Sequence, residues 1–329
     1  MGPNGVRIIS RFTRLTDLNR LITRSGKPFI APFYHVVSDA PLPHIKHLYR
    51  FRTVSEFEKD LDNLLTCFDP ISLEEYRQGE ADARKKPTML LSFDDGLAEC
   101  HSLIAPMLRK KGIPAVFFLN NLFIDNQGLF YRYKVSLIID LILNDPSAMS
   151  RAGEFLHVPE TRVKELLLSI SYSQQILLDA LAPELGIDFN SFGMEQPVYM
   201  SSEEIRELIG WGFEIGAHSK DHPQMNRMDQ EIVVREVLSS VLDLQKRFMV
   251  KVSGFAFPFT SMGIERHVLQ SLMDQELTLF GISGIRETGT DRYVQRIDME
   301  AFALPALEVM KMKYLHYLFR KRTGRERIY

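Results

Sequence analysis

The chain has 329 residues, of which 45% are hydrophobic and 25% charged, as in an ordinary globular protein rather than a disordered one. No apolar run approaches the roughly 18 residues that a membrane-spanning helix needs, and the first residues lack the pattern of a signal peptide. The two cysteines, Cys67 and Cys100, are too few for a disulfide framework or a cysteine-based metal site, so we expect a cytoplasmic protein.

The net charge of −2 conceals two basic ends. Residues 1–30 carry six basic side chains and one acidic, and residues 311–329 carry seven and one, which leaves 27 basic against 40 acidic side chains between them. Both ends have apolar residues at helical spacing, namely Ile8, Phe12, Leu15 and Ile22 in the first and Met312, Leu315 and Phe319 in the last. Such ends either contact an anionic membrane surface or form helices with a solvated basic face. No nucleic-acid partner is expected.

Strands and helices alternate over the first 120 residues. The sequence predicts strands at 28–37, 88–93 and 114–119, a helix at 55–68 with a capping box of Ser55 and Glu58, and a second helix that ends near Gly112. Strand, helix and strand at this spacing form the βαβ unit of a parallel sheet.

The pattern changes between 120 and 200, where helical patterns occur without a convincing strand. We therefore predict a helical insertion at 120–200 within a single catalytic domain of residues 1–329. Alternation then resumes, with strands predicted at 212–218, 252–257, 277–283 and 293–299 and helices at 202–210, at 229–248 and from about 305. About seven buried parallel strands indicate a (β/α) barrel or an open doubly wound sheet, in which functional residues lie at the C-terminal ends of the strands.

Polar residues follow three of the predicted strands at their C-terminal ends. Asp94 and Asp95 follow LLSF, His218 follows GFEIGA, and Pro258 and Phe259 follow GFAF. In a barrel these segments converge at one rim although they are far apart in the sequence. Such convergence is what a catalytic site requires.

These residue types suit a divalent metal ion. His218 and His222 lie four residues apart around a turn, and together with one aspartate they make a ligand set that zinc accepts, with a position left open for water. Neighbouring residues of a strand point in opposite directions, so one of Asp94 and Asp95 could bind the ion while the other acts as a general base. Taken singly, an Asp-Asp-Gly sequence is often a turn and an HxxxH pair is often incidental. Their occurrence together, at the ends of separate parallel strands, favours a metal site.

Three motifs resemble a known family. SFDDG, HSKDHP and FAFPF, in this order and spacing, resemble the polysaccharide deacetylases, metal-dependent carbohydrate esterases with a NodB-homology domain. The segments at 33–39 and 51–65 are similar to the leading segments of some members. The resemblance covers about 30–119 and 200–300, and it implies a distorted, incompletely closed (β/α) barrel.

The resemblance also implies roles for individual residues. It makes Asp94 the general base and Asp95, His218 and His222 the ligands of a divalent metal ion, with Zn²⁺ preferred. It implies attack of metal-bound water on the N-acetyl carbonyl of a sugar, which releases acetate and leaves an amine. The backbone N–H of Phe259 matches the family position that helps hold the oxyanion, where such donors stabilise developing charge.

Two positions depart from the family pattern. Ala256 stands where the third motif has an arginine that orients the base, and Arg296 or Arg286 could supply that guanidinium from another strand. The late histidine that acts as the general acid has no clear counterpart, because His316 lies in a predicted helix. His35 follows the first strand and either lines the mouth of the site or is a buried structural histidine.

The sequence therefore predicts a metal-dependent hydrolase that removes N-acetyl groups from a polysaccharide or a lipid-linked glycan. A first alternative is a catalytically impaired carbohydrate-binding protein on the same scaffold, which the missing arginine and histidine favour. A second is a hydrolase of a non-sugar amide, with the same site and a different pocket.

Overall fold

A computed structural model describes residues 16–328, apart from the side chains of residues 82 and 83. The apolar positions Ile8, Phe12 and Leu15 lie outside these residues, so the amphipathic N-terminal segment stays a prediction. Within residues 16–328, no helix is both long enough and apolar enough to cross a membrane.

Most strands form one large parallel sheet. The described strands are β1 Phe29–Ile30, β2 Pro32–Tyr34, β3 Asp69–Pro70, β4 Thr88–Met89, β5 Leu91–Phe93, β6 Ala115–Leu119, β7 Glu214–Ala217, β8 Gly254–Ala256, β9 Thr278–Gly281, β10 Tyr293–Gln295 and β11 Ile297–Asp298. Eight of them pair in the order β10-β9-β8-β7-β6-β5-β2-β11, and β1, β4 and β3 form a smaller sheet. The larger sheet is a nearly closed barrel with one unsealed seam, which confirms the predicted incompletely closed barrel, with eight strands instead of about seven.

The seam lies within a single segment of the chain. The strands β10 and β11 are opposite edges of the sheet, yet only Arg296 separates them in the sequence. The prediction of one strand over 293–299 is wrong here, because the first half pairs with β9 and the second half with β2. The chain therefore crosses the seam at Arg296, which is fully buried.

Strand residues alternate between two hydrophobic cores. Val116 and Phe118 belong to a cluster of strand residues inside the barrel, whereas Phe117 between them packs in the larger core that the strands share with the helices. Because the strands are buried on both faces, their sequences are continuous apolar runs. This is why the sequence locates them, although the predicted strands 28–37 and 88–93 each divide between the two sheets, as β1 and β2 and as β4 and β5.

The described residues also form α-helices, some of which cover the outside of the barrel. They are α1 Leu18–Ser25, α2 Val54–Cys67, α3 Leu73–Arg77, α4 Glu80–Ala83, α5 Ala105–Lys111, α6 Tyr131–Asn144, α7 Pro146–Leu156, α8 Glu160–Ser169, α9 Ile176–Leu185, α10 Phe189–Glu195, α11 Ser202–Gly210, α12 Gln230–Phe248, α13 Arg266–Met273 and α14 Ala306–Arg322. A π-helical turn, Cys100–Ile104, leads into α5, and short 3₁₀ helices occupy Asn121–Asn126, Tyr172–Gln174 and Met225–Arg227.

The predicted capping box of the second helix is displaced by two residues. The box consists of Thr53 and Glu56, each of whose side chains accepts a hydrogen bond from the backbone N–H of the other. Ser55 and Glu58 instead lie within α2. The shift follows from the extended backbone of Thr53, which leaves its hydroxyl free to reach the N–H of Glu56.

Residues 121–195 form helices without an intervening strand, as the sequence predicts. Helices α6 to α9 pack on one another and on the segment 36–51 in a core separate from that of the barrel. Its assignment as an insertion within one catalytic domain stays a prediction. Since all eight strands of the barrel are parallel, their C-terminal ends share one rim, and α6 begins close to that rim.

Candidate active site

Four polar side chains of the sequence motifs converge at the C-terminal rim. Asp94 and Asp95 follow β5, His218 follows β7, and His222 follows a turn after it. All four are buried, with exposed fractions between 2% and 6%. Burial of this many titratable groups together requires that each has a partner for its charge or its lone pairs.

Arg296 is the partner of Asp94. Its Nη1 lies 2.6 Å from Oδ1 of Asp94 and its Nη2 lies 2.7 Å from Oδ2, a bidentate ion pair that is almost entirely shielded from solvent. Nη1 also donates to Oγ of Ser92 at 3.2 Å, and the guanidinium lies 4.4 Å from the ring centre of Phe33. Of the two arginines proposed from the sequence, Arg286 lies elsewhere and donates to the backbone carbonyls of residues 325 and 327.

This contact fixes the charge of Asp94. Burial alone would raise the pKa of the carboxyl, but the attraction of Arg296 outweighs it and lowers the pKa to about 2. Asp94 is therefore ionised across the working range of pH. Ala256 stands where the family pattern has the arginine, and it takes part in the site only through its backbone carbonyl, which contacts His218.

Three acceptor atoms face one another beside Asp94. Oδ1 of Asp95 lies 3.6 Å from Nε2 of His218 and 3.4 Å from Nε2 of His222. The three ligand atoms all lie within 4.8 Å of one another. Burial lowers the pKa of His218 to about 4 and that of His222 to about 3, so both imidazoles are neutral at pH 7.

The orientation of His218 leaves a lone pair for a ligand. Its Nδ1 lies 2.7 Å from the carbonyl oxygen of Ala256, so the neutral ring donates its N–H there and Nε2 keeps its lone pair toward Asp95. Metal-binding histidines usually have such a carbonyl or carboxylate behind the ring. Ala256, which stands where the family has an arginine, thus orients His218 through its backbone carbonyl.

These residues fit a divalent cation. A carboxylate oxygen and two imidazole nitrogens converge, and among the described residues neither Oδ1 of Asp95 nor Nδ1 of His222 has a hydrogen-bond partner. A buried acceptor in this state costs stability, whereas a bound cation would satisfy all three atoms at once. The ligand types are those that zinc accepts.

The backbone at the rim is strained. Five residues there adopt a positive φ: Asp95 (72°), Gly96 (70°), Ser219 (68°), His222 (61°) and Phe259 (56°). A Cβ at Gly96 would also lie 2.9 Å from Cδ2 of Leu119, so the leucine side chain would have to shift. Strain of this kind in non-glycine residues is held in place by the surrounding structure and clusters at functional sites.

Phe259 stands beside His222. It follows Pro258 at the end of β8, and its ring centre lies 4.6 Å from that of His222 and 6.0 Å from that of Phe130. The position is compatible with the oxyanion role that the resemblance implies for its N–H. That role stays a prediction.

A histidine and a glutamate lie at the same rim. Nδ1 of His35 lies 2.6 Å from Oε2 of Glu300, whose oxygens also accept from the backbone N–H groups of His35 and Val36. Burial would lower the pKa of His35, but the Glu300 carboxylate outweighs it and raises the pKa to about 10, with smaller effects from Asp95 and Asp94. His35 is therefore protonated at pH 7, and its side chain is 22% exposed.

The sequence alone does not identify Glu300. The one feature of the sequence that points to Glu300 is its position two residues after the end of β11, which places it at the C-terminal rim. His316, in contrast, lies on the outside of α14 with an exposed side chain.

Residues 81–280 match the family model described as polysaccharide deacetylase. The chain matches none of the curated protein sequences.

Several solved structures share the fold. The chain is similar to the Streptococcus pyogenes deacetylase PplD in complex with acetate, with a TM-score of 0.56 and 13% identity over 86% of this chain and 97% of that one. It is also similar to IcaB from Ammonifex degensii, with a TM-score of 0.53 and 14% identity over 87% and 97%. A de-N-acetylase from Aggregatibacter actinomycetemcomitans gives a TM-score of 0.53 and 15% identity over 86% and 99%.

The ion pair of Asp94 and Arg296 predicts a pH-dependent stability in metal-free protein. The folded-state pKa of Asp94, about 2, lies below the usual aspartate value of 3.8, so the pair stabilises the fold above about pH 4 and loses that effect as the pH falls toward 2. In Arg296→Met the carboxylate is buried without a partner, its pKa lies above 3.8, and its ionised form is costly at pH 7. We expect a loss of about 3–5 kcal/mol at pH 7 and a smaller loss at pH 4.

Urea unfolding at both pH values measures these losses. Arg286→Met is the control, because Arg286 donates to carbonyl oxygens and its loss should not depend on pH in this range. A loss for Arg296→Met that is the same at pH 7 and pH 4 would contradict the ion pair.

Proposed function

The chain belongs to the polysaccharide deacetylase family, whose members hydrolyse the amide bonds of N-acetylated sugars, and we propose from this that it removes N-acetyl groups from a polysaccharide or a lipid-linked glycan. One observation supports the proposal above the others. An ionised carboxylate, Asp94, lies beside three converging acceptors that fit a divalent cation, at the rim where a barrel holds its active site.

Asp95, His218 and His222 would hold the cation, and Zn²⁺ is the ion that this set of ligands fits best. When bound there, such an ion supplies Lewis-acid chemistry, because it lowers the pKa of a water ligand and polarises a carbonyl. The neutral state of both imidazoles keeps their lone pairs available at pH 7.

Asp94 serves as the general base. It takes a proton from the attacking water while the water oxygen forms a bond to the acetyl carbon. Arg296 holds both carboxylate oxygens in place and keeps Asp94 ionised before the reaction. Oδ2 of Asp94 lies 4.0 Å from Nε2 of His218, so the base stands next to the proposed ligands.

Phe259 and His35 complete the reaction. The backbone N–H of Phe259 donates to the carbonyl oxygen as that oxygen gains negative charge. His35, protonated because of Glu300, gives a proton to the sugar nitrogen as the C–N bond breaks. The products are acetate and an amine.

The two alternatives differ in their support. A catalytically impaired binding protein rested on the missing arginine and the missing acid, and the contacts of Arg296 with Asp94 and of His35 with Glu300 count against it. Hydrolysis of a non-sugar amide would use the same groups. Comparison of sugar and non-sugar acetamides as substrates distinguishes it.

We also propose that the basic ends contact an anionic membrane surface. Arg24, Lys321 and Arg322 border an apolar groove between α1 and α14, and Phe319 beside it is 65% exposed. The later part of α14 contacts the segment that precedes β1, because Tyr314 donates to the carbonyl of Lys27 and Lys321 donates to that of Ser25. This surface therefore lies at the N-terminal end of the strands, opposite the site. A membrane bound there would face away from the site, which favours a polysaccharide over a glycan anchored in that membrane.

A cytoplasmic location is likewise a proposal. It rests on Cys67 and Cys100, which are both free thiols. Cell fractionation tests it.

The deacetylase proposal predicts that a chelator abolishes acetate release from N-acetylglucosamine oligomers and that Zn²⁺ restores it. Asp94→Asn should lower the rate by about 10²–10⁴-fold, the usual contribution of a general base. The variant keeps an oxygen that can accept from Arg296, and its circular dichroism verifies folding. Full activity of metal-free protein, or of Asp94→Asn, would contradict the proposal.

The proton donor predicts a shift in the pH profile. In Glu300→Gln the carboxylate that raises the pKa of His35 is lost, so His35 releases its proton at lower pH and the alkaline limb of kcat should move down by at least about one unit. His35→Gln should lose that limb. An alkaline limb at the same pH in Glu300→Gln would refute the assignment.

Membrane contact predicts co-sedimentation with vesicles of phosphatidylserine and phosphatidylcholine, but not of phosphatidylcholine alone. The double variant Lys321→Glu, Arg322→Glu should lose binding. Arg162→Glu, a charge reversal on the exposed face of α8, is the control. Equal binding to both kinds of vesicle would count against the proposal.

A further inference from the structure

A tyrosine of the helical region touches the proposed metal site. Tyr133, near the start of α6, is fully buried, and its hydroxyl lies 2.7 Å from Oδ2 of Asp95. The hydroxyl of Tyr49 lies 3.1 Å from that of Tyr133. The other oxygen of Asp95, Oδ1, faces His218 and His222 and has no hydrogen bond within the described part of the chain.

The direction of these hydrogen bonds follows from the chemistry of the groups. The Tyr133 hydroxyl donates its single proton to Oδ2 of Asp95. The oxygen of Tyr133 must then accept, and Tyr49 donates to it. Phenol hydroxyls are protonated at neutral pH, so each tyrosine has one proton to donate. The two bonds form a chain in which each strengthens the other.

We propose that Tyr133, supported by Tyr49, is a positioning residue that occupies Oδ2 of Asp95 and so leaves Oδ1 alone to bind the metal. The inference rests on the proposed function for the identity of the ligands. It adds that the helical region beyond the sequence motifs completes the metal site.

A second tyrosine of the helical region contacts the loop that carries His218 and His222. The hydroxyl of Tyr172 donates to Oδ2 of Asp221 at 2.6 Å, in the turn between His218 and His222. Tyr133 and Tyr172 thus attach the helices of 121–195 to both ligand-bearing segments. Free carboxylates commonly rotate and bind an ion through one or two oxygens, and the contact with Tyr133 removes that freedom from Asp95.

The test compares Tyr133→Phe with wild type by the affinity of each for Zn²⁺, measured by competition with a chromophoric chelator. The substitution removes one oxygen from a buried site. We expect Kd to rise about 10–100-fold, as when the groups behind metal ligands are removed. Tyr131→Phe is the matched control on the same helix. Tyr131 is also buried, but within the described part of the chain it does not contact Asp95. Its Kd should not change.

A spectrum separates positioning from general loosening. With Co²⁺ in place of Zn²⁺, release of Oδ2 lets both carboxylate oxygens bind, and the higher coordination number weakens the visible d–d bands. We expect weaker bands in Tyr133→Phe and wild-type bands in Tyr131→Phe. If Tyr133→Phe fails to fold, Tyr49→Phe, which keeps the bond to Asp95 but removes its support, should change both readouts in the same direction by less.

The outcomes are distinct. Wild-type affinity and bands in Tyr133→Phe, or in Tyr49→Phe when only that variant folds, would overturn the inference while leaving the metal site in place. Failure of the wild type to bind Zn²⁺ or Co²⁺ would instead overturn the proposed function on which the inference rests.

Discussion

The buried ion pair of Asp94 and Arg296 is the contact on which the rim depends. It connects the end of β5 to the one residue at which the chain crosses the seam between β10 and β11. A lone charge in this position would be prohibitively costly, so each of the two groups makes the burial of the other tolerable. The ring of Phe33 below the guanidinium completes the enclosure. The edge strands β10 and β11 do not pair with each other, but the ion pair fixes the chain at Arg296, where it crosses the seam.

Groups at this rim hold different protonation states within a small volume. Asp94 is ionised because of Arg296, the imidazoles of His218 and His222 are neutral because of burial, and His35 is protonated because of Glu300. Each state follows from one identifiable cause, a charged neighbour for Asp94 and His35 and burial for His218 and His222. A base, a ligand set and an acid can thus coexist at one pH, which is what amide hydrolysis requires.

The sequence predicts most of the barrel, because strands buried on both faces are visible as apolar runs. It also predicts the ligand candidates, since strand ends in a parallel sheet converge. It does not settle contacts between residues remote in the chain, since it offers both Arg296 and Arg286 as partners of Asp94 and does not connect His35 with Glu300. Arg296 lies 202 positions from Asp94 and Glu300 265 positions from His35, so no local pattern connects them. The break of the predicted strand 293–299 has the same origin, since two different partners pair with its halves.

The most direct measurement is a crystal structure of zinc-loaded protein with anomalous diffraction at the zinc edge. The account predicts one strong peak within about 2.0–2.2 Å of Oδ1 of Asp95 and of Nε2 of both His218 and His222, with Arg296 still paired to Asp94. A peak that excludes any of these three ligands, or an ion bound by Asp94 in place of Asp95, would contradict it.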